Sequence, residues 1–272
     1  VENSRECRLV RERITELDLV VEKVIPATPN SRVFVEESYV YALPAGTIVP
    51  RLVVMEGITE KVVEGSTKIL SYFSDADTVA PDSTETASSD DELEQAKDQV
   101  IKALAGVGLY ISTLLRFGRG QSVVSAASAT STIPVPRPKK PLVLYSYEGN
   151  QFCRLVREVL TELDIVYELR SAGKQSRRRE ELAEITGGSS QCPYLIDPNT
   201  GVSMFESADI IKYLYNTYAL WTPPSEILAA ASAVVSPLLK PVYKKLAPVQ
   251  VGSYNEDKLL YKDEIAKAKA EI

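Results

Sequence analysis

Leu142-Val143-Leu144-Tyr145-Ser146-Tyr147-Glu148-Gly149-Asn150-Gln151-Phe152-Cys153 opens the stretch that decides the fold, and that stretch runs on to Tyr218. Leu142 to Tyr145 is a short, almost unbroken apolar run, the pattern of a strand buried on both faces. Gly149 and Asn150 interrupt it, and Asn150 is a good N-cap for a following helix. From Cys153 the apolar residues Val156, Val159, Leu160 and Leu163 fall at helical spacing, with Arg154, Arg157, Glu158 and Glu162 on the other side. Asp164 ends that helix, and Ile165-Val166-Tyr167-Glu168-Leu169 alternates as a second strand. Strand, crossover helix and parallel strand make a βαβ unit, with its ligand-facing loops at the strand carboxyl ends. Beyond it come another helix, the proline-led strand Gln191-Cys192-Pro193-Tyr194-Leu195, a hairpin, and a last helix at Phe205-Glu206-Ser207-Ala208-Asp209-Ile210-Ile211.

Outward from this stretch, the start of the chain repeats its helix. Cys7 to Glu22 returns as Cys153 to Glu168 at an offset of 146, with twelve of sixteen positions identical. A period that long is no solenoid; it implies a duplicated domain. Pro50-Arg51-Leu52-Val53 answers to Pro193-Tyr194-Leu195-Ile196, and Gly65-Ser66 to Glu206-Ser207. On this register Val1 matches Tyr147. The first copy's opening strand is therefore expected upstream of the numbering, and without it a sheet edge or gap is expected there.

The expected fold class is α/β, with two thioredoxin-like domains in tandem, each followed by a short helical arm. The domains read as 1–74 (degenerate, first strand missing), 75–140 (acidic linker, apolar helix and Pro-rich lead-in), 141–219 (the better-preserved copy) and 220–272 (apolar arm and charged C-terminal helix). Residues 73–95 are polar and acidic, with little to anchor them in a core. Residues 100–117 form an apolar helix close to the length a membrane span needs; three settings suit it, namely between the domains, on a membrane, or on a protein partner. Residues 227–243 make a second apolar arm.

A net charge of −6 and a pI near 5.1 leave no basic stripe for phosphates, so nucleic acid is excluded as a partner. There is no histidine, which removes Ser-His-Asp and Cys-His catalysis and the commonest transition-metal ligand, so no metal site is expected. Three scattered cysteines build no disulfide framework and fit a reducing compartment.

The second copy resembles the N-terminal domain of glutathione S-transferases. It is most similar to the tandem plastid-type proteins of plants and algae that carry the block seen here as Asp197-Pro198-Asn199-Thr200-Gly201-Val202-Ser203-Met204-Phe205-Glu206-Ser207. The resemblance covers most of 142–218 and is weaker over 1–73. It implies a plastid location, in the stroma or on the stromal face of the thylakoid. It also implies glutathione as a ligand of Cys192, Pro193, Glu206 and Ser207, with Pro193 as the family's cis-proline. Ser207 has a second reading as a plain helix cap.

The catalytic turn departs from the family. Redox-active relatives place a nucleophilic cysteine at the helix start, where its pKa falls; here the turn is Asn150-Gln151-Phe152-Cys153, and in the first copy Ser4-Arg5-Glu6-Cys7. The catalytic candidates are thus Ser4, Asn150, Cys153 and Cys192. Ser4 reads as a helix cap or as a hydroxyl for a glutathione thiolate. Cys7 and Cys153 read as small core residues, and Cys192 as a relocated thiol or half of a Cys153–Cys192 disulfide. The first copy keeps Ser66 but has Gly65 where the second has Glu206. The run Arg177-Arg178-Arg179 reads as a solvated helix start or an anion contact.

Two functions follow as expectations. One is a non-redox binding or scaffold protein, docked through 100–117 and 227–243 on a protein partner or thylakoid membrane complex, with glutathione binding kept in the second copy. The other is a glutathione-dependent transferase or thiol-disulfide oxidoreductase. Loss of the dithiol motif and the lack of a long helical substrate domain favour the first.

Overall fold

The structure is a computed structural model that describes residues 4–26, 28, 31–33, 50–56, 59–77, 123, 127 and 135–219 of the 272. The apolar helix expected at 100–117, the arm expected at 227–243, the acidic stretch after Asp77 and the expected C-terminal helix all lie outside the described residues. Among the described residues no helix is long and apolar enough to cross a membrane.

In chain order the elements are α1 (Arg5–Glu16), β1 (Val20–Val24), β2 (Arg51–Glu56), β3 (Thr59–Glu64), α2 (Ser66–Asp77), β4 (Leu142–Ser146), α3 (Gln151–Glu162), β5 (Tyr167–Ser171), α4 (Arg177–Thr186), β6 (Tyr194–Asp197), β7 (Val202–Phe205) and α5 (Ser207–Leu214). A π-helical turn, Tyr215–Ala219, ends them.

The second repeat folds in the order expected of it. Leu142, Leu144 and Tyr145 are fully buried, as a central strand requires. β4 pairs in parallel with β5, completing the βαβ unit around α3, and antiparallel with β6, which turns back through Asp197–Val202 into β7. The strand order β5-β4-β6-β7 with helices α3 and α5 packed together is the thioredoxin-like arrangement. β1, from the first repeat, extends this sheet beyond β5 as an antiparallel edge strand. The β2–β3 hairpin forms a two-stranded sheet of its own.

Both repeats feed one core. Val10, Ile14, Ile69 and Phe73 join Val156, Val159, Leu160, Ile210 and Leu214 in a single buried cluster, so the repeat mates Val10/Val156 and Ile14/Leu160 share it. Burial of side chains of this size contributes roughly 1.5–3 kcal/mol each.

The charged side of α3 is not solvated: Arg154, Arg157, Glu158 and Glu162 are all buried. The cause is charge pairing under the first repeat. Arg157 Nη2 lies 2.7 Å from Glu148 Oε2, and Arg11 of α1 reaches the same oxygen at 2.8 Å, while Arg154 pairs with Glu158 at 3.1 Å. Buried charges of this kind stand only when paired and hydrogen-bonded.

Candidate functional site

The turn between β4 and α3 is held from several sides. Asn150 is the N-cap of α3, its Oδ1 accepting from the backbone N–H of Phe152 at 2.8 Å and of Cys153 at 3.3 Å. Its Nδ2 donates to the Tyr147 hydroxyl at 3.3 Å. Both ends of the amide are thus occupied by the turn itself. Arg179 covers the Tyr147 ring at 5.4 Å and donates from Nε to Ala172 O and from Nη1 to Ser190 O at 2.7 Å. It ties the β5–α4 loop to the loop that leads into β6.

Behind the turn, Cys153 is fully buried in the cluster with Tyr145, Ala172, Leu182, Cys192 and Tyr194. Burial pushes its thiol up from the ordinary range, outweighing the nearby Arg157 guanidinium. Cys192 is 7 % exposed, its sulfur 3.8 Å from the Ala172 carbonyl oxygen. Burial, helped by the neighbouring Cys153, pushes the Cys192 thiol up to about 12. Cys7, Cys153 and Cys192 are all free, so the disulfide expected as one reading of Cys192 is not formed. Burial favours the protonated form of both thiols near the turn at neutral pH, which leaves little thiolate for nucleophilic attack. Burial also raises the Tyr147 hydroxyl above the usual tyrosine range.

The other side of the site is the β6 start and the β7–α5 junction. The Cys192–Pro193 peptide bond is cis, matching the expectation for Pro193. Glu206, not Ser207, is the N-cap of α5, which corrects the plain-cap reading of Ser207. Glu206 has φ 65, a left-handed backbone that residues with a side chain rarely adopt. It makes no side-chain cap bond, because its carboxylate is turned to the exposed Gln191 Nε2 at 2.8 Å. Ser207 is instead the first helical residue. The opening turn of α5 therefore presents backbone N–H groups with no cap from the Glu206 side chain, a setting suited to a carboxylate.

Gln191 was not among the residues singled out from sequence; its only signal was its place directly before Cys192-Pro193. In the first repeat Ser4 is the N-cap of α1, its Oγ accepting from Cys7 N–H at 3.4 Å, and Ser66 opens α2 after Gly65 at φ 86. Gly65 brings no carboxylate to the position that Glu206 holds before Ser207. Of the arginine run, Arg178 pairs with Glu181 at 3.0 Å, and Arg177 lies 4.0 Å from Asp18. Among the described residues no group of His, Cys, Asp or Glu side chains could hold a metal ion.

A protein-family profile, "Glutathione S-transferase, N-terminal domain", matches residues 144–224. The described part of that span, 144–219, folds as a thioredoxin-like, GST-type domain. The profile spans the turn at Asn150, the cis-proline and the Glu206-Ser207 junction, the three places where the geometry above gathers. Neither a curated protein nor a solved structure matches the chain.

Proposed function

We propose that the protein is a non-redox, tandem thioredoxin-fold binding or scaffold protein that holds glutathione in its second GST-type domain without turning it over. The observation that carries this reading is Asn150: the position of the redox nucleophile holds a helix cap whose amide is already bound to Phe152, Cys153 and Tyr147. The remaining thiols, Cys153 and Cys192, are buried and protonated. Support for ligand binding comes from the uncapped start of α5 beside exposed Glu206 and Gln191, where the γ-glutamyl carboxylate and ammonium of glutathione would find N–H donors and a carboxylate. Support for the tandem reading comes from the repeated helix, its mates' shared core and the matching order of hairpin and last helix in both repeats. In this reading the apolar arms at 100–117 and 227–243 dock the pair on a plastid membrane complex at the stromal face of the thylakoid.

The test pairs binding with turnover. Glutathione is titrated into the full chain by calorimetry, and conjugation and disulfide reduction are assayed on the same sample. Binding that weakens at least tenfold in Glu206→Ala/Ser207→Ala, with neither activity above the uncatalysed rate, is expected. Turnover abolished by Asn150→Ala would replace this reading with an enzyme. Retention of the chain on thylakoid vesicles that is lost when 100–117 or 227–243 is deleted tests the docking.

A further inference from the structure

The strongest sequence identity between the repeats falls on α1 with the turn and strand behind it, not on the ligand-facing turn. The contacts of those residues give a physical reason. Asp18 and Asp164 are repeat mates, both just past their helix and both in left-handed backbone, at φ 53 and φ 57. Each is buried. Each reaches into the other repeat. Asp18 accepts from the Ser176 hydroxyl, and Ser176 is the N-cap of α4. Asp164 accepts from the Ser31 hydroxyl and from the backbone N–H of Arg32 at 2.8 Å and Val33 at 3.1 Å, where the first repeat begins a helical turn. The aspartate of each repeat therefore serves the next helix start of the other.

The strands behind the two aspartates meet as well. β1 and β5 are repeat mates and pair with each other antiparallel: Val20 opposes Arg170, the mate of Val24, and Val24 opposes Tyr167, the mate of Val21. Arg11 and Arg157, also mates, close on the one carboxylate of Glu148, and the Thr15 hydroxyl accepts the Glu148 backbone N–H at 3.2 Å. Two repeat segments that meet antiparallel, with one shift of register between Val21 and Val24, and whose mated aspartates each reach into the other are related by an approximate local two-fold, as in an isologous dimer interface.

We infer that residues 4–26 and 31–33, with residues 150–177, form a self-complementary interaction surface whose partner is a copy of itself, so that the chain is an approximate two-fold dimer joined end to end in which the aspartate of each half serves a helix start of the other. Identity is retained there because each residue must satisfy both its own fold and its mate's. The inference rests on the tandem reading but is independent of glutathione.

The test uses hydrogen exchange on the full chain. Asp18→Asn is expected to speed exchange at least tenfold in the first turn of α4, residues 177–180, which lie far away in sequence. Asp164→Asn is expected to do the same at residues 32 and 33. Exchange that changes only beside the substituted residue, or equally everywhere including β6–β7, would overturn the inference. A second measurement does not depend on those variants: a protease site placed within 82–92 is cut in the native protein. The halves are expected to stay together in size-exclusion chromatography and to part only in denaturant. Separation under native conditions overturns the shared surface, whatever glutathione binding shows.

Discussion

Asp197 shows how a single residue ties the hairpin to the last helix. Its carboxylate is fully buried and accepts from Tyr213 at 2.7 Å, Tyr218 at 2.5 Å and the Asn199 backbone N–H at 2.8 Å. Burial works against its charge, but the bonds from Tyr218, Tyr213 and Asn199 outweigh it and hold the carboxyl below its usual range. A depressed carboxylate stabilises the fold above its unfolded pKa, near about 4, and that stability is lost as pH falls through the folded value. Asp197→Asn is therefore expected to cost about 1–3 kcal/mol in urea unfolding at pH 7, with the gap narrowing below about pH 4. An equal gap at pH 7 and pH 3 would contradict this assignment. In the sequence Asp197 stands out only as part of the Asp197–Ser207 block, because nothing in a linear pattern says that two tyrosines further on will point back at it. The cysteines at this scale give a simpler prediction. A water-soluble disulfide reagent is expected to leave all three thiols unreacted in the native protein and to titrate three after unfolding.

The element that defines the site is α3 with its cap. Its position and apolar stripe were legible from Val156, Val159, Leu160 and Leu163 and from the Gly149-Asn150 break. The burial of its polar stripe was not legible, because helical periodicity records which residues are apolar and not what covers the rest. The β7–α5 junction was half legible: Glu206 and Ser207 are where they were expected, but their roles as cap and first helical residue depend on the left-handed backbone at Glu206, which no pattern announces. Asn150→Ala removes the oxygen that binds two helix amides, and a loss of about 1 kcal/mol in stability is expected. Asn150→Cys puts a thiol at the same helix start. That thiol is expected to titrate below about 8.5, followed by thiolate absorbance, because the free N–H groups of the first turn stabilise its anion. A thiol at or above the ordinary value would mean that the turn itself, and not the missing sulfur, had lost the chemistry.

Across the whole molecule the buried charges at the contact between the repeats carry more weight than those at the surface. Glu148 holds Arg157 and Arg11 out of water, whereas Glu168 and Glu181 bind Arg170 with all three side chains about a quarter exposed or more. Glu148→Gln is expected to lower stability by about 3 kcal/mol, and Glu168→Gln by about 1 kcal/mol or less, both read from denaturant midpoints. Equal effects would mean that the contact is not a load-carrying part of the fold. The repeat was legible because identity over a helix survives in the letters; the contact it makes was not, because a repeat alone does not say whether its copies touch. The proposed function requires that the thioredoxin-like, GST-type frame bind glutathione and not turn it over. Calorimetric titration of the intact chain with glutathione, run beside an assay of conjugation and thiol exchange, tests it most directly. One glutathione per chain, bound at about 1 mM or tighter and recovered unreacted, is the result predicted. No heat of binding at ten times that concentration, or steady turnover of the bound tripeptide, would contradict it.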